Sequence, residues 1–225
     1  MLLKGIAAVS LILAAVICVC CGLALWLFPV LFLAFGLGLT LAAFLFLWFL
    51  CRIVDLDKPQ EHDSKFYRTI MYLYIDAIMA VARVRVHKTG MEKTPKSGRF
   101  LLVCNHLNDS DPPILFSVFK KSQLAFISKK ENHDMFIVGD IMHKTMCQLL
   151  NRENDREALK TILKCIQLIK DDEVSIGVFP EGGIRGDGKL HRLKGGVFKI
   201  ARRRMCPSWF APSGVRRLYS RILRN

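Results

Sequence analysis

The stretch Phe100-Leu101-Leu102-Val103-Cys104-Asn105-His106-Leu107-Asn108-Asp109-Ser110-Asp111-Pro112-Pro113 decides the fold. Phe100 to Cys104 is a short apolar run and reads as a buried strand. Asn105-His106 ends it, and Pro112-Pro113 opens a helix with a preset φ and no N–H to lose. His106 thus stands where a strand stops, and Asp111 near the positive end of a helix. A carboxylate there is favoured in its ionised form and can accept a hydrogen bond from the imidazole. That partner fixes the tautomer and leaves the other ring nitrogen as a general base. The sequence has no G-x-S-x-G elbow and no H-E-x-x-H, so a base acting on a substrate hydroxyl fits better than a protein nucleophile or a metal. On spacing alone a plainer alternative stays open: His106 ends a strand and Asp111 caps a helix.

Downstream, Leu124 to Ser128 reads as strand, 133–145 as helix and Cys147 to Leu150 as strand. The helix over 155–170 has the clearest signature. Asn154 and Glu157 form a capping-box-like pair ahead of apolar Ala158, Leu159, Ile162, Leu163, Ile166 and Ile169. Val174 to Phe179 is a buried strand. This alternation predicts an α/β domain with a largely parallel sheet and its site on loops at the strand ends. One such loop is Phe179-Pro180-Glu181-Gly182-Gly183-Ile184-Arg185-Gly186-Asp187-Gly188-Lys189. Amides freed by glycines, with Arg185, Lys189 and Lys194 nearby, suit a phosphate. Gly183 to Lys189 fits G-x-x-x-x-G-K, but Leu190 follows where a nucleotide-binding loop needs Ser or Thr for magnesium.

Upstream, Phe66, Ile70, Tyr74, Ile78 and Ala82 recur at helical spacing over 62–82, an amphipathic helix packed on the domain or lying on a membrane. Val84 and Val86 alternate with Arg83, Arg85 and His87 and suggest a strand. Before them, Gly5 to Cys51 is 47 residues without a charged side chain. A bilayer core takes about 20 helical residues, so this segment predicts two spans, near 5–26 and 30–51, hinged at Pro29. A cleaved signal peptide is the alternative for the first half, although no clear A-x-A site precedes the second. Lys4, Arg52 and Lys58 put both ends of the hairpin on the cytoplasmic side. The expected organisation is a transmembrane hairpin over 1–52, a linker over 53–61 and the α/β domain over 62–225.

Residues 52–225 hold 32 of the 33 Lys and Arg and all 19 acids, a net +13 that favours an anionic partner. A nucleic-acid reader would need interleaved aromatics or a recognisable fold motif, and neither is present. Four of the eight cysteines lie in the apolar segment and four are scattered singly, and no C-x-x-C pair has a second pair to complete a zinc site, so reduced thiols are expected, with neither disulfides nor structural metal.

The chain resembles the membrane-bound lysophosphatidic acid acyltransferases, the 1-acyl-sn-glycerol-3-phosphate acyltransferases of the glycerolipid acyltransferase group. Their N-H-x-x-x-x-D is met by His106 and Asp111, and their F-P-E-G by Phe179 to Gly182. Ser128-Lys129-Lys130-Glu131 is similar to the basic stretch after the family's next strand, and Asn151-Arg152 to its second motif. The resemblance covers about residues 65–204 and fades beyond 205, where a divergent or shortened C-terminus is expected. It implies transfer of a fatty acyl group from an acyl-coenzyme A or acyl-carrier-protein thioester to a lysophospholipid hydroxyl at a membrane, with no further cofactor. His106 would be the base and Asp111 its orienting partner. Glu181 and Gly182, with Arg152, Arg185 and Lys194, would hold the acceptor. The family usually continues F-P-E-G with Thr-Arg-Ser, whereas Gly183-Ile184-Arg185 displaces the arginine by one position. That departure keeps a second expectation in view, a catalytically impaired membrane-anchored module that binds anionic lipid.

Overall fold

The computed structural model describes residues 1–151 and 153–183, and the backbone of 208–211. Two long apolar helices come first, α1 (Leu2–Cys20) and α2 (Leu27–Arg52), each long and apolar enough to cross a membrane. They pack antiparallel, with Gly36 of α2 bare where it meets the Ser10 hydroxyl of α1. The hinge is not at Pro29. The reversal occupies residues 21–26, where Gly22 takes φ 59, and Pro29 is the third residue of α2. First-turn N–H groups have no intrahelical partner, so a proline costs nothing there.

Helix α3 (Lys65–Val81) begins at Ser64, whose hydroxyl accepts from the Tyr67 N–H. It runs back along α2: the Tyr67 hydroxyl donates to the Leu50 carbonyl and the Tyr74 hydroxyl to that of Ala43, seven residues earlier. The face it buries differs from the stripe the spacing suggests. Arg68 and Met71 are buried, while Phe66 and Ile78 are exposed. The expected strand at Val84 and Val86 does not form. Arg83 ends α3 with φ 53 and 84–89 have no regular structure, because an alternating pattern makes a strand only where a partner edge is free.

The α/β domain follows as β1 (Leu101–Cys104), α4 (Asp111–Val118), β2 (Leu124–Ser128), α5 (Val138–Lys144), β3 (Gln148–Leu149), α6 (Asp155–Lys170), β4 (Ser175–Val178) and β5 (Ser208–Ala211). All pairs are parallel, in the order β3-β2-β4-β1-β5. The register sets Val103 opposite both Val178 and Phe210. Right-handed crossovers put α4 and α5 on one face of the sheet and α6 on the other, and α3 completes the first layer by packing on α4 and α5. The four residues of β1 and of β4 are all buried, as expected of central parallel strands covered on both faces. Helix α6 has the expected bounds and cap. The Asn154 side chain accepts from the Arg156 and Glu157 N–H groups, and its amide donates to the Glu157 carboxylate. The helix expected over 133–145 is shorter, occupying only Val138–Lys144.

Candidate active site

Two loops leave the same sheet edge, because β1 and β4 are parallel neighbours in register. The first runs from β1 to α4. Asp111 is the first residue of α4, followed by prolines, and its carboxylate turns back over the loop. Oδ2 accepts from the Leu107 N–H at 2.7 Å, the Asn108 N–H at 2.9 Å and His106 Nδ1 at 3.1 Å. One oxygen therefore fixes two backbone groups and the imidazole. With a carboxylate at Nδ1, the proton sits on that nitrogen and Nε2 carries the lone pair. The Asp111 side chain is 2% exposed and that of His106 16%: the acid is sealed and the base is reachable.

The second loop follows β4. Phe179 lays its ring against the His106 imidazole, with centroids 4.1 Å apart and planes within 18°. Behind it the Phe126 ring of β2 stacks on Phe179 at 5.3 Å, and Phe116 of α4 meets Phe126 edge-on. Gly177 makes room for this column, since a Cβ there would lie 2.4 Å from the Phe126 ring. Glu181, 5% exposed, then crosses between the loops. Its Oε1 accepts the backbone N–H of His106 at 3.1 Å.

The structure thus brings together His106, Asp111, Glu181 and Gly182, where Gly182 has φ 78 and donates its N–H to the Phe179 carbonyl. Arg152, Arg185 and Lys194 lie outside the described residues. The sequence reading did not single out the aromatic backing of the imidazole. A glycine inside a buried strand was its signal, since such a position often marks a close approach. Cys104 lies two residues from His106 and is no rival nucleophile. Burial, with Asp111 nearby, pushes its thiol far above the ordinary range.

The family model described as Acyltransferase matches residues 85–212, more than half of the chain. A probable 1-acyl-sn-glycerol-3-phosphate acyltransferase of Mycoplasma pneumoniae is 30% identical over 148 residues, 64% of this chain and 52% of that protein. A 1-acyl-sn-glycerol-3-phosphate acyltransferase of Borreliella burgdorferi is 26% identical over 121 residues, 54% of this chain and 48% of the relative. The chain spans about half the length of these curated relatives. The crystal structure of the 1-acyl-sn-glycerophosphate acyltransferase PlsC from Thermotoga maritima superposes with a TM-score of 0.54 at 23% identity, over 72% of this chain and 63% of that one. That likeness is one of fold. With the family model spanning both site loops, the chain belongs to the Acyltransferase family.

Proposed function

We propose that this chain is a membrane-bound O-acyltransferase that moves a fatty acyl group from an acyl-coenzyme A or acyl-carrier-protein thioester to the free hydroxyl of a lysophospholipid, 1-acyl-sn-glycerol-3-phosphate, giving phosphatidic acid. The observation that carries this reading is the His106–Asp111 pair, assembled at a strand edge with Nδ1 engaged and Nε2 left for substrate. Nε2 takes the acceptor's hydroxyl proton as the oxygen attacks the thioester carbonyl carbon. The C–S bond breaks, the sulfur leaves and receives that proton from the imidazolium, and the ester oxygen stays on the acceptor. Asp111 steadies the imidazolium between the two transfers, and no acyl-enzyme forms. General-base help of this kind is worth roughly 10²–10⁴-fold.

Glu181 holds the two site loops together through its bond from the His106 N–H and, with Gly182, borders the acceptor. A phosphate is better matched by cations, and Arg152, Arg185 and Lys194 are the residues we assign to it. The α1–α2 hairpin keeps the domain at the cytoplasmic face, where both acyl chains reside. A module that only binds lipid would have no use for an oriented imidazole, which sets that second expectation below the first.

The test is to incubate membranes containing the full chain with labelled acyl-coenzyme A or acyl-carrier protein and a panel of lysolipids, and to identify products by mass. Diacyl product from lysophosphatidic acid is expected, and its absence with His106→Ala. No product from any pair of substrates would overturn the proposal.

A further inference from the structure

The segment that leads from β2 into the first residue of α5 carries three large apolar side chains that the core does not use. Met135 and Phe136 are each 52% exposed, and Val138 is 41%. The backbone holds them out. Ile137 has φ 66 and ψ −47, and the Val138 N–H donates to the Phe136 carbonyl at 2.8 Å. Those values describe the positive-φ γ-turn, a rare and strained form, centred here on a β-branched residue that disfavours it. Such strain persists only where the surroundings over-determine it, and it clusters at functional segments. Here they do: the Gly139 N–H donates to the Met135 carbonyl at 2.7 Å, and a Cβ on Gly139 would lie 1.8 Å from the His133 carbonyl oxygen. Ile137 packs on the core, so the turn that draws it inward sends its neighbours outward.

This knob sits between two features. It leaves the sheet at the end of β2, which is parallel to β4, and so shares the edge that carries His106. It also lies on the side of the domain that meets the hairpin: α5 packs on α3, α3 bonds to α2 through Tyr67 and Tyr74, and Ile141 belongs to the same core cluster as Leu47 and Cys51 of α2. Phe49, Ile53 and Phe66 are exposed at that end of the hairpin, and Lys129 and Lys130 are exposed just ahead of the knob. Apolar side chains on a rigid turn, beside an apolar hairpin, match the interface of a bilayer, while the two lysines are offset by the exposed Glu131 and Asp134.

We propose that Met135, Phe136 and Val138 form a second membrane contact, which enters the lipid interface beside the exit of α2 and turns the His106 edge of the sheet toward the bilayer that holds the acceptor. This rests on the membrane reading of the hairpin given above, and its test separates the two. The full chain is reconstituted in vesicles of phosphatidylcholine and phosphatidylglycerol with a benzophenone-bearing phenylalanine at one of three positions: Leu41 in α2, Phe136, or the exposed Lys170 at the far end of α6. The aromatic exchange at an exposed position leaves the turn intact. Lipid adducts are expected at Leu41 and Phe136, and many-fold fewer at Lys170. Adducts at Leu41 without Phe136 would leave the hairpin in the membrane and overturn the knob. Their absence at Leu41 as well would overturn both. Equal labelling at Lys170, or Phe136 adducts to added acyl-carrier protein in place of lipid, would also overturn the proposal.

Discussion

The sheet and the hairpin are built from the same residue types and use them in opposite ways. Leu101 and Leu102 of β1 are wholly buried, whereas Leu33 and Leu37 of α2 are 68% and 73% exposed. In water each buried side chain of this size contributes about 1.5–3 kcal/mol, so the sheet assembles itself, while the outer face of the hairpin is favourable only in lipid. The polar groups differ accordingly. In the domain, buried Arg68 and Glu181 hold distant parts of the chain together, and Asp111 pins the loop ahead of its own helix. In the hairpin, Ser10 and Thr40 donate only to carbonyls four residues back in their own helices. Removing these polar groups should therefore be costly in the one region and cheap in the other.

The largest effect should fall on the dyad. His106→Ala should lower the acyl-transfer rate by roughly 10²–10⁴-fold with the circular dichroism spectrum unchanged. Asp111→Asn should come close to it, because the amide oxygen can take the place of Oδ2 toward the Leu107 and Asn108 N–H groups but brings no negative charge to orient and steady the imidazolium. An unimpaired His106→Ala chain would end the general-base assignment. Next comes the Arg68–Asp63 pair, whose side chains are 4% and 3% exposed. Asp63 receives two bonds of 2.6 Å, and Arg68 also reaches the Leu124 and Thr145 carbonyls, tying α3 to the sheet. Asp63→Ala strands a buried cation and should cost about 3–5 kcal/mol in denaturant melts. Removing both charges with Asp63→Leu and Arg68→Met should cost less than that single change, and a double variant at least as damaged would show that Arg68 matters chiefly for the carbonyls it caps.

Much of the domain was legible because its signals are local. The cap at Asn154 and the apolar period after it fix α6, and the prolines after Asp111 fix α4. Short buried runs gave β1, β2 and β4, and a strand end followed by His and a helix-opening Asp placed the dyad. What escaped depends on partners far away in sequence. Val84 and Val86 alternate but find no strand edge. The face α3 buries is chosen by Arg68, whose partners lie in the sheet layer and in residue 63. Ile137 takes a backbone conformation its side chain disfavours, and the fit of Gly139 against His133 with its bond to the Met135 carbonyl imposes it. The Glu181 bond to the His106 N–H needs the β1–β4 register, which no single stretch of sequence contains.

Gly177→Ala probes how far the packed region reaches into the chemistry. A methyl 2.4 Å from the Phe126 ring must push that ring aside, an overpacking worth about 1–3 kcal/mol. Phe126 backs Phe179, which backs His106, so kcat should fall with little change in the acceptor KM, and Phe126→Leu alongside should restore part of both stability and rate. A lower melting point with untouched kcat would separate the aromatic column from the dyad.

Thr40→Val should do the least. The Thr40 hydroxyl donates to the Gly36 carbonyl at 2.7 Å on an exposed face, and within α2 that carbonyl is already the acceptor for the Thr40 amide four residues on. Deleting the hydroxyl therefore strands no donor and no acceptor, and the valine methyl gains lipid contact, since a central valine favours insertion by a few tenths of a kcal/mol. The heat-induced aggregation midpoint of the detergent-purified chain should stay the same or rise slightly, a change under about 0.5 kcal/mol by the same scale. Asp63→Ala, measured beside it, should lower the midpoint by many degrees. A comparable fall for Thr40→Val would mean that the hydroxyl meets a polar partner across a helix interface, and the hairpin would then share the domain's way of holding itself together.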